Sequence, residues 1–244
     1  SEISLMIDIG TNGEMVLGNK DKLATCSTAA GPAFEGAKIE CGMRGAAGAV
    51  DHVTFEDGEW KYTTVGNVPA VGLCGSGLID LVAQLYKAGL IDEMGHLESG
   101  QEKSDIFVLV PPEKSGDDRG VYLTQKDVRE VQLAKAAIAA GIQLLMKELG
   151  IREKDIQKVY IAGAFGNYMN PASACAIGLL PPELEQRVEP VGNAAGEGAK
   201  IALLNADELE AADGIVKGIC FLELAASAEF QDTFVDELAF PEED

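Results

Sequence analysis

The chain has 244 residues, which fits one large domain or two small ones, and its hydrophobic content of 47% is ordinary for a globular fold. A formal net charge of −21 argues against nucleic acid and anionic membrane surfaces as partners. No apolar run approaches the roughly 20 residues that a membrane-spanning helix needs. The first residues, SEISLMIDIG, lack the basic region and cleavage site of a signal peptide. We therefore expect a cytoplasmic protein that contacts neither nucleic acid nor membranes.

The cysteines are spread along the chain, with no C-x-x-C pair among them. Each stands among small or apolar residues, which predicts buried free thiols in a reducing compartment rather than a metal cluster. The two histidines have hydrophilic neighbours and no ligand spacing, so both are predicted to lie on the surface. These residues are Cys26, Cys41, Cys74, Cys175, Cys220, His52 and His96.

The N-terminal part of the chain predicts β-structure. A stretch rich in glycine and alanine, residues 28–50, predicts a structured loop, because such residues let backbone approach backbone or a ligand closely. The following HVTFEDGEWKYTTV predicts a hairpin about Asp57 and Gly58. Before this loop, three short antiparallel strands are predicted at Leu5–Ile9, Glu14–Leu17 and Leu23–Ser27.

The middle of the chain predicts two helices separated by a polar segment. One helix should begin near Ser76, in GLCGSGLIDLVAQLYKAG. Residues 96–118 are polar and rich in proline and glycine, with IFVLV as one strand, and are predicted to form an exposed excursion. The clearest helix runs from Lys126 to Leu149, with a capping box of Thr124 and Asp127 before it.

The C-terminal part predicts strands alternating with helices. A strand KVYIAG precedes a short helix capped by Asn170; VEPVG leads into a helix at NAAGEGAKIALL; and ICFLEL precedes a helix from Ala228 to Phe240. Strands first, then helices alternating with strands, indicate one α/β domain over residues 1–244. We expect a mixed sheet that opens with the three antiparallel strands and is flanked by helices.

Familiar catalytic motifs are missing from the sequence. It contains neither G-x-x-x-x-G-K-[ST] nor a G-x-G-x-x-G after a strand. The turn Gly10–Gly13 does follow a strand that ends near Asp8. Its backbone amides and the Thr11 hydroxyl can converge on phosphate oxygens, and Asp8 can hold Mg²⁺ through water or orient an attacking water. The alternative is a tight hairpin, which Asn-Gly favours.

Two further glycine-rich turns also follow strands. In VGLCGSGLID, the amide-rich start of a helix can face an anion, or it can simply pack against the strand. In YIAGAFGN, residues 160–167, small residues would let a flat ring or a ribose lie against the backbone, and the alternative is again close packing. The sequence thus has an acid and a glycine-rich turn near its N-terminus, and a strand with a Gly-x-x-Gly turn much later. Actin-like nucleotide sites have their motifs in this order.

Five long blocks of the sequence, taken together and in chain order, resemble the C-terminal ATPase portion of the reductive activators of corrinoid proteins. These activators are iron–sulfur proteins of the acetate kinase, sugar kinase and actin superfamily, so the resemblance implies an actin-like (ribonuclease H-like) lobe. The similarity runs from about Leu5 to the closing FQDTFVDELAFP. The blocks are LMIDIGTNGEMVLG, CSTAAGPAFEGAKIECGMRGAAGAV, GLCGSGLIDLVAQL, LTQKDVREVQLAKAAIAAGI and VYIAGAFGNYMNP.

The resemblance implies that ATP hydrolysis drives an electron from an iron–sulfur cluster to the Co(II) corrinoid of a methyl-transferring partner, regenerating Co(I). It also implies a corrinoid protein as partner and a homodimer. The chain carries no ferredoxin-like cysteine set, so the cluster is expected in an N-terminal region outside it. Each of the family's two lobes opens with an acid-containing hairpin, and the sequence has one such hairpin, DIGTNGE, which matches the second lobe. We interpret the chain as a C-terminal fragment.

The resemblance also assigns residues. Asp8 would be the catalytic residue and would bind Mg²⁺ through water, while the turn after it would meet the terminal phosphates. Gln125 and Arg129 would reach the base or ribose, or they belong to a solvated helix face. Glu35 is the nearby acid expected to contact the cleft. The phosphate turn comprises Gly10, Thr11, Asn12 and Gly13, and the adenosine turn comprises Gly163, Ala164, Gly166 and Asn167.

Two other functions are compatible with the sequence. A small-metabolite kinase of the same superfamily would need a phosphoryl-acceptor pocket and a complete two-lobe chain. A non-catalytic module for dimerisation and for docking a corrinoid protein would bind that protein without nucleotide.

Overall fold

The computed structural model describes residues 2–101, 105–163 and 168–242. The described residues form eleven strands, numbered in chain order: β1 Ser4–Ile9, β2 Gly13–Gly18, β3 Leu23–Thr28, β4 Ala49–Glu56, β5 Glu59–Thr64, β6 Gly72–Leu73, β7 Ile106–Val110, β8 Val121–Thr124, β9 Lys158–Ala162, β10 Val188–Gly192 and β11 Ile219–Phe221. They also form six α-helices: α1 Gly75–Lys87, α2 Gln125–Leu149, α3 Pro171–Ala176, α4 Ala194–Leu204, α5 Ala206–Gly218 and α6 Ala228–Asp236.

A six-stranded mixed sheet forms the centre of the fold, with the strand order β10-β9-β1-β2-β3-β11. The strands β1, β2 and β3 are antiparallel neighbours, whereas β9 pairs with β1 in parallel and β11 pairs with β3 in parallel. Alternation in β1 buries Leu5, Ile7 and Ile9 on one face, as a period of two requires. The predicted mixed sheet with its three opening antiparallel strands is confirmed.

Helix α2 covers the buried face of this sheet. Its N-terminus has the predicted capping box: the Thr124 hydroxyl accepts from the Asp127 amide, and the Asp127 carboxylate accepts from the Thr124 amide. At Gly141 a Cβ atom would lie 2.3 Å from the Met15 Cε atom, so the absence of a side chain lets α2 lie close to β2. The predicted long helix and its packing on the sheet are confirmed.

A second layer contains α1, the three-stranded sheet β5-β4-β6 and the hairpin of β7 and β8. The predicted turn at Asp57 and Gly58 joins β4 to β5. The stretch 96–118, predicted to be an exposed excursion, is partly buried and partly exposed. Its strand β7 pairs with β8 and buries Phe107 against Trp60, with ring centroids 4.7 Å apart, whereas residues 112–114 are exposed.

The last helix is shorter than predicted. Helix α6 ends at Asp236 rather than at Phe240, because the residues after it are held in place by side chains of α1 and α2. The buried Lys135 amine donates to the Ala239 carbonyl, and the Tyr86 hydroxyl donates to the Pro241 carbonyl. This segment places the Phe240 ring in the core, with 2% exposure.

The structure differs from the sequence-based predictions at a helix and at two cysteines. Helix α5 was not predicted. The prediction that every cysteine is buried is wrong for Cys220, which is exposed, and Cys41 is partly exposed. His52 lies on the surface as predicted, but its Nδ1 atom is 3.0 Å from the buried Asp80 carboxylate.

In the described part of the chain, no helix is both long and apolar enough to cross a membrane.

Candidate nucleotide site

The turn after Asp8 is fastened to the loop that follows β3. Within the turn, the Gly10 amide donates to the Asn12 carbonyl over 2.9 Å. The Gly31 amide donates to the Thr11 carbonyl over 2.8 Å, and the Thr11 hydroxyl donates to Glu35 Oε2 over 3.1 Å. Because these contacts join two separate loops, the turn has a defined position at the end of the sheet.

Gly163 lies directly beside Asp8. The parallel pairing of β1 and β9 sets Asp8 opposite Ala162, so the next residue passes over the end of β1. Gly163 has a φ of +91°, and a Cβ atom there would lie 2.9 Å from the Ile9 carbonyl oxygen and 3.0 Å from Asp8 Oδ1. Only glycine fits this backbone without strain or displacement of Asp8.

A cavity of about 610 Å³ opens at this end of the sheet. It brings together four of the residues that the sequence analysis assigned to the site, namely Asp8, Gly10, Glu35 and Gly163. Its position outside the strand ends is where α/β sheets bind ligands. The other lining residues are Ile9, Phe34, Met43, Arg44, Gly45, Cys74, Gly75, Ser76 and Tyr168.

The electrostatics of the cavity favour a bound cation. Burial raises the pKa of the Asp8 carboxyl group, and the charge of Glu14 raises it further. A second acid, Glu35, stands close by, since a Cβ atom at Gly10 would lie 3.5 Å from Glu35 Oε1. A divalent cation near Asp8 would relieve this excess of negative charge. The donor set of carboxylates and backbone groups is also the hard oxygen environment that Mg²⁺ prefers.

Two features of the cavity wall were not assigned as site residues from the sequence. Arg44 supplies a positive charge, and the first residues of α1, Gly75 and Ser76, supply the amide-rich start of a 13-residue helix. The signal for the helix was present in VGLCGSGLID. The alternative of close packing also applies, because a Cβ atom at Gly77 in α1 would lie 2.2 Å from the Val50 carbonyl oxygen of β4. For Arg44, the available signal was an arginine inside a glycine-rich loop.

The remaining predicted residues lie elsewhere or outside the described residues. Gln125 donates to the Gly95 carbonyl and accepts from the Leu97 amide, both over 2.7 Å. Arg129 is exposed, and neither it nor Gln125 lines the cavity. Among the turn residues, Thr11 and Asn12 are exposed, while a Cβ atom at Gly13 would meet Thr28 and Ile138. Ala164, Gly166 and Asn167 lie outside the described residues.

The rest of the described structure was compared with this site for metal-binding groups and for cavities. Within residues 2–101, 105–163 and 168–242, no three histidine, cysteine, aspartate or glutamate side chains form a group that could hold a metal ion. A second cavity of about 370 Å³ lies between the end of α2 and the segment after β11. It contains none of the predicted site residues.

Comparison with known proteins gives a consistent result. The family model described as the C-terminal domain of RACo, the ASKHA domain, matches residues 2–244. The chain is 39% identical to the corrinoid activation enzyme RamQ of Eubacterium limosum, over 96% of this chain and 42% of that protein. It is 31% identical to the [Co(II) methylated amine-specific corrinoid protein] reductase of Methanosarcina barkeri, over 98% of this chain and 46% of that one.

A solved structure gives the same picture. The reductive activator for corrinoid, iron–sulfur protein superposes with a TM-score of 0.90 at 43% identity, over 100% of this chain and 40% of that one. The likeness confirms the predicted actin-like fold. The chain spans less than half the length of the relatives it matches.

Proposed function

This chain belongs to the family of RACo C-terminal ASKHA domains, and we propose that it is the nucleotide-binding lobe of an ATP-dependent reductive activator. The full-length cytoplasmic protein uses ATP hydrolysis to drive an electron from an iron–sulfur cluster, located outside this chain, to a corrinoid protein. The electron reduces Co(II) to Co(I). Two relatives support this proposal, since the names of both refer to corrinoid proteins or their activation.

The observation that carries the proposal is the juxtaposition of Asp8 and Gly163 in one cavity. These residues are 155 positions apart, and the absent side chain of Gly163 leaves the Asp8 carboxylate uncovered. Asp8 would hold Mg²⁺ through water, and the amides of Gly10–Gly13 would meet phosphate oxygens. Bound Mg·ATP supplies the phosphoryl group whose transfer to water releases the driving energy. Gly163 would contribute backbone to the adenosine subsite.

The positive groups in the wall fit the same ligand. Arg44 and the N-terminus of α1 would offset the negative charge that ATP brings into an acidic protein. Glu35 orients the phosphate turn by accepting from Thr11. We assign Gln125 a structural part in this proposal, because its amide is used by Gly95 and Leu97.

Catalysis requires both lobes. Phosphoryl transfer depends on positioning and on charge stabilisation around the γ-phosphate, and in this superfamily the first lobe brings the opposing acid. We therefore expect the 244-residue chain to bind Mg·ATP weakly and to hydrolyse it at background rates. In the full-length protein, Asp8→Asn should reduce turnover by about 10²-fold, equivalent to roughly 3 kcal/mol.

The test compares Asp8→Asn with Asp57→Asn. Asp57 is an exposed turn residue at a φ of +53°, which asparagine also adopts, so this control makes the same chemical change away from the cavity. Calorimetric titration of the chain with Mg·ATP should show weaker binding for Asp8→Asn alone. Turnover of the two full-length variants should differ by the same factor of about 10². Rapid hydrolysis by the isolated chain, or normal turnover of full-length Asp8→Asn, would contradict the proposal.

A further inference from the structure

Arg44 supplies the positive side chain of the cavity at Asp8. Among the described residues that line this cavity, no other is a lysine or an arginine. The chain has 40 aspartates and glutamates against 19 lysines and arginines. Arg44 is nevertheless exposed and forms no ion pair with an acidic side chain of the described residues. Its charge is therefore open to a ligand in the cavity.

The loop that carries Arg44 has a fixed backbone. A Cβ atom at Gly36 would lie 2.6 Å from the Met43 amide nitrogen, and one at Gly42 would lie 2.1 Å from the Gly36 carbonyl oxygen. Because the contacting atoms belong to the backbone, only glycine allows the loop to fold back on itself so closely. The Met43 amide also donates to the Leu73 carbonyl over 2.8 Å, which fastens the residue before Arg44 to β6.

Asp127 ties the same loop to the start of α2. The residue is buried, with an exposure of 1%. Its Oδ1 atom accepts from the Glu40 amide over 2.9 Å, and its Oδ2 atom accepts from the Thr124 amide over 2.9 Å. A buried carboxylate needs such donors to offset its desolvation. Asp127 therefore holds the loop at a defined distance from α2, and with it the backbone of Arg44.

The order of the strands places Arg44 at one end of the cavity. Gly163 follows β9, on one side of β1, whereas the turn Gly10–Gly13 leads from β1 to β2 on the other side. The segment after β3 lies one strand further along. The close approach of Gly36 and Met43 sets Arg44 beside this segment. Arg44 and Gly163 are therefore at opposite ends of the cavity, with the turn between them.

We propose that Arg44 contacts the terminal phosphate of ATP and makes the site select ATP over ADP. This inference rests on the proposed nucleotide function, in which Gly163 belongs to the adenosine subsite and the turn Gly10–Gly13 meets phosphates. A nucleotide that runs from Gly163 across the turn has its last phosphate at the Arg44 end, and ADP bound in the same way ends one phosphate short. A guanidinium group donates two parallel hydrogen bonds to a phosphate, which adds both affinity and a defined orientation.

The position of Arg44 gives hydrolysis a consequence for binding. Once the terminal phosphate has been transferred to water and has left, ADP keeps its contacts at Gly163 and the turn but has none with Arg44. ADP therefore lacks the factor that Arg44 contributes to ATP binding, about 10- to 100-fold for a charge-assisted hydrogen-bonded pair. ATP then displaces ADP, and the site takes up the next substrate molecule.

The first experiment measures how tightly the full-length protein binds Mg·ADP and an imido analogue of Mg·ATP that is not hydrolysed. Arg44→Gln should weaken binding of the analogue about 10- to 100-fold and binding of Mg·ADP less than about threefold. Arg44→Lys should keep part of the preference, because the charge remains while the planar fork is lost. Arg129→Gln is the matched control: Arg129 is also exposed and free of ion pairs among the described residues, but it does not line the cavity.

Two outcomes would overturn this inference alone. Equal losses for both nucleotides in Arg44→Gln would place the arginine away from the terminal phosphate, and unchanged affinities would remove it from the site. An unsubstituted protein that binds neither nucleotide would instead overturn the proposed function, and the inference with it. Urea unfolding checks that Arg44→Gln folds, since its midpoint should match that of Arg129→Gln; Arg44→Met replaces it if it does not fold.

The second experiment tests Asp127 as a positioning residue. Asp127→Asn keeps the shape of the side chain but has one acceptor oxygen, so it cannot serve both Glu40 and Thr124. The affinity for the ATP analogue should fall relative to that for ADP by about threefold or more. Thr124→Ala is the control, because it disturbs the same helix cap and leaves the contact with Glu40 in place.

The ratio of the two affinities decides this second test. A variant at Asp127 that loses stability but keeps the ratio of the unsubstituted protein would show that Asp127 does not position Arg44. If Asp127→Asn fails to fold, Asp127→Ser replaces it, and the same ratio is measured. An equal fall of the ratio in Thr124→Ala would also overturn the assignment, because the helix cap rather than the tie to Glu40 would then be responsible.

Discussion

Replacing Gly163 by alanine should damage the site through two separable effects. The backbone at a φ of +91° disfavours any residue with a Cβ atom, and the added methyl group would meet the Ile9 carbonyl oxygen at 2.9 Å and Asp8 Oδ1 at 3.0 Å. The strain costs roughly 1–2 kcal/mol. Relief of the two contacts requires movement of Asp8 or of β1, at a further cost of the same order. The free energy of unfolding should therefore fall by roughly 2–4 kcal/mol.

The control for strain is Gly89→Ala. Gly89 has a φ of +69°, but a Cβ atom there would have nothing within 4 Å, so alanine adds strain without a contact. It should cost about 1 kcal/mol. The difference between the two variants isolates the effect of the contact with Asp8 and Ile9.

Urea unfolding measures both variants. With a slope near 3 kcal/mol per molar urea, as expected for a chain of this size, Gly163→Ala should lower the midpoint by about 1 M and Gly89→Ala by about 0.3 M. Mg·ATP titration should show weaker binding for Gly163→Ala alone. Equal midpoints for the two variants would refute the reasoning, because they would mean that Gly163 tolerates a methyl group beside Asp8.

Two further predictions concern buried titratable groups. Burial raises the pKa of Cys26 and that of Cys175 to about 12, so iodoacetamide at pH 8 should modify Cys220 first and these two only after unfolding; mass spectrometry of the peptides would reveal any other order. Burial lowers the pKa of Lys135 to about 8, against the attraction of Glu237. The unfolded state therefore binds more protons between pH 8 and 10.5, and stability should rise across that window by up to roughly 3 kcal/mol. Lys135→Met should flatten this rise in urea titrations, and an unchanged slope would contradict the assignment.

The sequence predicted those strands and helices whose periodicity or capping residues lie within the element itself or directly beside it. Alternation in Leu5–Ile9 predicts a half-buried strand, and the Thr124 and Asp127 pair predicts the start of α2 within one residue. Helix α5 was missed although a local signal was present, since the Asn205 side chain accepts from the Asp207 amide as an N-cap does. The early end of α6 depends on Lys135, a residue about a hundred positions away, and no local pattern encodes such a contact.

Some residues of the candidate site were predicted from the sequence and others were not. The resemblance to the activator family placed Asp8 and Gly163 together, and the parallel register of β1 and β9 supplies the physical reason. Arg44 was not predicted, because its loop takes its path from distant backbone contacts. The Met43 amide donates to the Leu73 carbonyl over 2.8 Å, and the Leu73 amide donates to the Cys41 carbonyl over 2.7 Å.

The distance along the chain between β1 and β9 also affects how the protein is made. On the ribosome, β1, β2 and β3 emerge before β9, the strand that completes the other side of β1 and lies about 150 residues later. At a synthesis rate of about 5–20 residues per second, one edge of β1 stays unpaired for roughly 8–30 s until β9 has been synthesised. An unpaired edge is a template for other strands. We therefore expect the nascent chain to need chaperone protection during this interval, and slower translation to increase aggregation.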